Sequence, residues 1–129
     1  MKIRLREGRK VEAEIREFTL LTDQSETAGG DNAAPNPFEL FLASLGTCSG
    51  YYVLAFCRKH DISTEGLELD MEFERDETSK LIRKIDIAVN FPPDFPKRYV
   101  AACIKSAEQC TVKKHLADPP EIVLRPSEV

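Results

Sequence analysis

The chain has 129 residues, room for one domain. A chain of that size buries roughly two-thirds of its extended surface, enough for a core without disulfide staples. Hydrophobic residues make up 42% and charged residues 31%, which excludes a disordered chain. Eighteen Lys and Arg against 22 Asp and Glu leave a net charge of −4. That balance argues against nucleic acid as the main partner, since phosphate neutralisation needs a concentrated basic face.

The opening residues, MKIRLREGRK, alternate charge with Ile3 and Leu5 and lack the apolar run of a signal peptide. Apolar stretches are read as falling short of the ~20 residues that span a bilayer. The expectation is a cytoplasmic chain with no membrane partner.

Residues 2–6 and 10–15 alternate as strands around a turn at Glu7-Gly8, and Phe18–Thr22 is a third extended segment. Residues 23–37 then lose all periodicity. Gly29, Gly30, Pro35 and Pro37 make this a loop of a length that is often functional. Residues 38–60 form a helix that is apolar on nearly every face, with Asn36 as N-cap and Pro37 at the first helical position. Such a helix must be surrounded by protein. So short a chain has little to wrap it with, which predicts a second subunit. Gly46 and Gly50 cost helix propensity there and mark places where another backbone comes close.

Residues 67–75 alternate through Leu67, Leu69, Met71 and Phe73, with an acidic opposite face. Residues 81–91 return through Ile85, Ile87, Val89 and Phe91, so the two form an antiparallel hairpin. Residues 97–116 read as one second helix carrying a stripe of Val100, Cys103, Ala107 and Cys110, and residues 122–124 as a last short strand. The fold class is α+β: antiparallel strands with two long helices, in a single domain over residues 1–129.

The four cysteines, Cys48, Cys57, Cys103 and Cys110, are spaced 9, 46 and 7 apart, with no CxxC. With only His60 and His115 beside them, a metal site would have to be assembled from scattered ligands, and none is expected. Cys48 sits two to three turns into the apolar helix between Thr47 and Ser49. A thiol in apolar surroundings is inert unless a cation or hydrogen-bond donor reaches it, and its own helix offers none nearby. Cys57 points away from Cys48. Cys110 is the better partner for Cys48, with Cys103 on the same stripe as its rival. Four packing cysteines are the competing reading.

The stretch GGDNAAPNPFELFLASLGTCSGYYV (residues 29–53) resembles the superfamily of osmotically induced (OsmC-like) and organic hydroperoxide resistance proteins. There, a loop rich in Gly and Pro leads into a central helix bearing a reactive cysteine. The later AEQCTVKKHL (residues 107–116) resembles the family's second cysteine element, 62 residues on. The resemblance implies an intertwined homodimer with two sites at the subunit interface. It implies Cys48 as the residue that attacks the peroxide and Cys110 as the one that resolves it. An arginine of the N-terminal region supports the first cysteine in the family, which nominates Arg6, with Arg9 as rival. An arginine suits that role because its fixed charge favours the thiolate. Two departures stand out. Phe38 occupies the position of the family's first carboxylate, leaving Glu39 as the adjacent substitute. Thr111 stands where the family has proline after the second cysteine.

The function this implies is reduction of organic hydroperoxides through a cysteine pair, with no bound cofactor and an external dithiol as reductant. The alternative is non-catalytic binding of a small hydrophobic ligand at the dimer cleft. A structural protein with inert thiols is the third reading. Tyr51, Tyr52 and Phe56 read first as packing residues and second as the lining of an apolar pocket.

Overall fold

The computed structural model describes residues 1–127. The chain divides into two compact units, Met1–Ser44 and Leu45–Val129, with one helix running through the division.

In the first unit, β1 (Lys2–Leu5), β2 (Val11–Ile15) and β3 (Phe18–Thr22) form an antiparallel sheet in the order β1-β2-β3. Ile3 pairs with Ala13 and Ala13 with Leu20. The alternation that marked these strands puts Ile3, Leu5, Phe18 and Leu20 on the sheet, yet each remains exposed within the chain. The loop that follows is built around Asp23. Its carboxylate is completely buried and accepts the backbone N–H groups of Gln24, Asp31 and Ala33 at 2.8–3.1 Å. Three such bonds hold the carboxyl below its ordinary pKa.

The helix α1 (Pro37–Lys59) starts as its sequence predicts. Asn36 Oδ1 accepts the Glu39 N–H at 2.9 Å, and Glu39 Oε2 accepts the Asn36 N–H at 2.8 Å. This is a reciprocal capping box, which satisfies two of the donors that every helix start leaves open. Leu42, Leu45, Ser49, Val53 and Cys57 are the buried residues of α1 and recur at helical spacing. The other faces are half-buried or exposed. By length and composition alone α1 is long and apolar enough to cross a membrane, with a mean hydropathy of 1.5. That corrects the expectation that no stretch reaches such a length.

In the second unit, β4 (Glu68–Arg75) and β5 (Ile82–Asn90) form the expected hairpin. Leu69 lies opposite Val89 and Met71 opposite Ile87, so one face is apolar while Asp70 and Glu72 face the other way. Gly46 of α1 admits this face closely: a Cβ there would lie 2.5 Å from Met71 Sδ. What approaches is therefore a side chain, and a Cβ added at Gly50 would meet nothing within 4 Å outside its own helix turn. Two helices follow, α2 (Val100–Ala107) and α3 (Thr111–Ala117). Val53, Cys57, Phe95 and Cys103 form the core, with Phe56, Phe91 and Tyr99 packed around them.

Two expectations are corrected. The second long helix is two short ones, so α1 alone is long. No proline or glycine marks the break, and the stripe runs through it. The chain nevertheless leaves the helix at Cys110 (ψ 117°), whose sulfur accepts the Lys113 N–H at 3.4 Å and caps α3. The terminal strand is also absent. Residues 122–124 pair with no strand, and Ile122 and Leu124 are 90% and 100% exposed. The five residues between Pro120 and Pro126 are flanked by prolines that lack ladder donors, and among the described residues no strand edge lies beside them.

Candidate functional site

The break between α2 and α3 brings two cysteines together within the second unit. Cys48, half-buried on α1, meets the fully buried Cys110. Its sulfur accepts the backbone N–H groups of Val112 and Thr111 and the thiol of Cys110. These donors, Val112 first, outweigh burial and hold the Cys48 thiol below its ordinary pKa. Sequence reasoning looked for help outside α1, from an arginine; hydrogen-bond donors are supplied here by the first turn of α3. Cys110 Sγ also lies 4.0 Å from the Leu45 carbonyl, a competing acceptor that its single proton reaches only by leaving Cys48.

Cys103, the rival partner, is occupied elsewhere. It is completely buried and hydrogen-bonded to the equally buried Cys57. Burial, with Cys57 beside it, pushes the Cys103 thiol up to about 11, and burial raises Cys57 as well. The protein thus holds two cysteine pairs with opposite character. One is capped by N–H donors and partly open. The other is sealed in hydrocarbon.

The remaining candidates lie in the first unit. Arg6 makes two parallel bonds to the Glu12 carboxylate, both 2.9 Å, which raise its pKa further and lower that of Glu12. Together with Leu5, Glu7, Lys10 and Leu21 they line a cleft of about 560 Å³. Arg9 extends across Gly29. Glu39 closes the capping box of α1. Phe38, at the departure from the family pattern, is exposed and packs on Phe41 with ring centroids 5.5 Å apart.

Beside the Cys48–Cys110 pair lies a groove of about 380 Å³. Its walls include Leu45, Ser49, Leu69, Ile87 and Ile104, with Lys113 and Glu108 as its charged residues. Leu45 and Ser49 flank Cys48 along α1, and Lys113 lies in the first turn of α3, so the groove is walled by the two elements that carry the cysteine pair. Among the described residues, no three His, Cys, Asp or Glu side chains gather as a metal-binding group.

Sequence reasoning missed two contributors, Tyr52 and Val112. Tyr52 was read as packing, but its hydroxyl pairs with Thr111 Oγ1 at 3.3 Å. Its position one turn after Cys48 was the available signal. Val112 acts through its backbone, which no side-chain pattern reveals. Phe56 is a packing residue, its ring against His60 and Tyr99.

The family model for OsmC-like proteins matches residues 29–125, and the chain belongs to that family. No curated protein matches the sequence significantly. Among solved structures, the chain is similar to a protein from Psychrobacter arcticus 273-4, described as an osmotic stress induced and detoxification response protein. The TM-score is 0.74 at 18% identity, covering 88% of this chain and 84% of that one. It is also similar to an organic hydroperoxide resistance protein, OsmC, from Legionella pneumophila. Here the TM-score is 0.57 at 22% identity, covering 89% and 85% of the two chains. At such identities the likeness establishes the fold.

Proposed function

We propose that this chain is a thiol-dependent peroxidase that reduces organic hydroperoxides through Cys48 and Cys110. The observation that carries the reading is the hydrogen-bonded pair itself, with backbone donors aimed at the sulfur of the more open cysteine. The Cys48 thiolate attacks the distal peroxide oxygen, giving a sulfenic acid and an alkoxide that leaves as the alcohol after protonation. The Cys110 thiol then displaces water from the sulfenic sulfur and closes the disulfide. An external dithiol reduces that disulfide, becoming oxidised itself. Family membership and the description of the Legionella relative support the choice of peroxide. The apolar groove beside Cys48 favours an alkyl or acyl tail, which gains free energy from burial, over hydrogen peroxide.

Arg6 is the proposed cation for the thiolate and the developing oxyanion, held rigid by its two bonds to Glu12. Glu39 contributes by fixing the start of α1. The functional unit is an intertwined homodimer. Support for this lies in α1, of whose apolar window only 28% is buried within the chain, and in the uncovered Ile3, Leu5 and Phe18 of the first sheet. The family match runs across both compact units, which supports one domain over residues 1–129. The proposed setting is the cytoplasm, where free thiols persist.

Anaerobic reaction of the fully reduced protein with one equivalent of cumene hydroperoxide tests the reading. Loss of two hydrogens, with a Cys48–Cys110 crosslink on peptide mapping, is expected. Unchanged mass with the peroxide left over rejects it. The apolar groove alone favours a second reading, the binding of a hydrophobic ligand without turnover. An acyl compound released on denaturing native protein, together with inert thiols, is its mark.

A further inference from the structure

Tyr52 stands one helical turn beyond Cys48, on the same face of α1. It is gripped at both ends. Its backbone carbonyl accepts the Ser106 hydroxyl at 3.2 Å, and its phenol shares a hydrogen bond with Thr111 Oγ1 at 3.3 Å. Ser106 lies in the last turn of α2, and Thr111 opens α3. One residue of α1 therefore holds both sides of the elbow that carries Cys110. Thr111 is engaged twice as well, since its backbone N–H reaches the Cys48 sulfur while its hydroxyl meets Tyr52.

We propose that Tyr52 and Thr111 are positioning residues for the cysteine pair, their hydroxyls forming a latch that holds the first turn of α3 against Cys48. The inference rests on the proposed peroxidase reading for its purpose, and on the geometry alone for its effect on the thiol. With the latch closed, the Thr111 and Val112 N–H groups stay aimed at the sulfur. With it open, α3 keeps its Cys110 cap but swings as a short helix on a loose elbow, and the donors lose their aim. The latch also governs the second step. The two sulfurs must close to a bond of about 2.05 Å. An elbow tied to α1 on both sides guides that approach.

The test is the pH profile of Cys48 alkylation by iodoacetamide, measured on the full chain without peroxide, in Tyr52→Phe, Thr111→Val and Thr111→Ser. Each of the first two removes a hydroxyl and leaves the backbone N–H groups in place. Loss of this one exposed hydrogen bond is expected to slow Cys48 labelling at pH 7 by roughly two- to fivefold, with the midpoint moved to higher pH. Thr111→Ser keeps the hydroxyl and retains the wild-type profile. A wild-type profile in Tyr52→Phe or in Thr111→Val overturns the latch, and so does a Thr111→Ser profile that matches Thr111→Val. Shifted profiles in a protein that consumes no hydroperoxide support the latch and reject the peroxidase reading, so the two fail separately.

Discussion

Cys110 does two jobs toward Cys48. Its thiol hydrogen-bonds the Cys48 sulfur, and the same sulfur accepts the Lys113 N–H at 3.4 Å, starting the helix whose first N–H groups reach Cys48. The resolving candidate and the device that tunes the attacking candidate are thus one structural element. A helix continuing unbroken through residue 110 would hold the Thr111 and Val112 N–H groups inside its own ladder. The break is what frees them.

This arrangement sets the pH dependence of labelling. Cys48 has donors that stabilise its thiolate, so its alkylation is expected to reach half-maximal rate at lower pH than that of an ordinary cysteine thiol. Cys57 and Cys103, buried together with raised pKa values, are expected to stay unlabelled in the folded state at pH 8. Peptide mapping after a short iodoacetamide pulse separates them. Labelling of Cys103 as fast as Cys48 contradicts the assignment of the two pairs.

Substitutions of Cys110 divide its roles. Cys110→Ser keeps an acceptor for the Lys113 N–H and leaves stability near wild type. Cys110→Ala removes the cap at a cost of about 1 kcal/mol. Neither variant can close the disulfide, so both should stop at an oxidised Cys48 after one equivalent of hydroperoxide, detectable by sulfenic-acid trapping. Denaturant melts check the stability difference. Equal melts for the two variants exclude a capping role.

Much of this was legible in the sequence, for stated reasons. Strands β1 to β5 fell within a residue of their expected limits, because alternation is a local signal that the packing did not override. Asn36 and Pro37 announced the start of α1 correctly, since capping chemistry is also local. The break at Cys110 was not legible. AEQCTVKK contains only residues that a helix tolerates, and the break coincides with a contact to Cys48 on a distant element, which no local pattern encodes. The absence of a strand at residues 122–124 has the same character. A strand exists only where an edge accepts it, and alternation says nothing about the edge. Stripe position favoured Cys110 over Cys103 as the partner of Cys48 and resemblance gave the two their roles, whereas the Cys57–Cys103 contact emerged only from three-dimensional packing.

Asp23 predicts an acid sensitivity. Its three backbone donors lower its pKa in the folded state, so it stabilises the fold fully above the unfolded value near ~3.9 and loses that contribution as pH falls through its folded pKa. Asp23→Asn keeps one acceptor oxygen and turns an amide toward the remaining N–H groups. The variant is expected to melt at lower temperature at pH 7, and the gap to wild type narrows progressively below pH 4. A gap that stays constant down to pH 2 shows that the carboxylate charge is irrelevant to the loop.

Two glycines separate a backbone constraint from a side-chain one. A Cβ at Gly30 collides with the Gln24 carbonyl and lies 2.9 Å from the Asp23 carboxylate. Both are fixed by the loop's own hydrogen bonds, with Gly30 N–H already donating to Ser25 and Asn32 N–H to the same Gln24 carbonyl. Gly30→Ala therefore has to displace main chain, and a loss of about 2 kcal/mol or more is expected. A Cβ at Gly46 meets only the far end of Met71, a flexible thioether that can turn aside. The substitution also removes a glycine from a helix interior, a gain of about 1 kcal/mol. Gly46→Ala is accordingly expected to lie within about 1 kcal/mol of wild type. Thermal unfolding of the two variants side by side decides the matter. A Gly46→Ala loss as large as that of Gly30→Ala means that α1 and β4 cannot move apart, and that Met71 is clamped from behind.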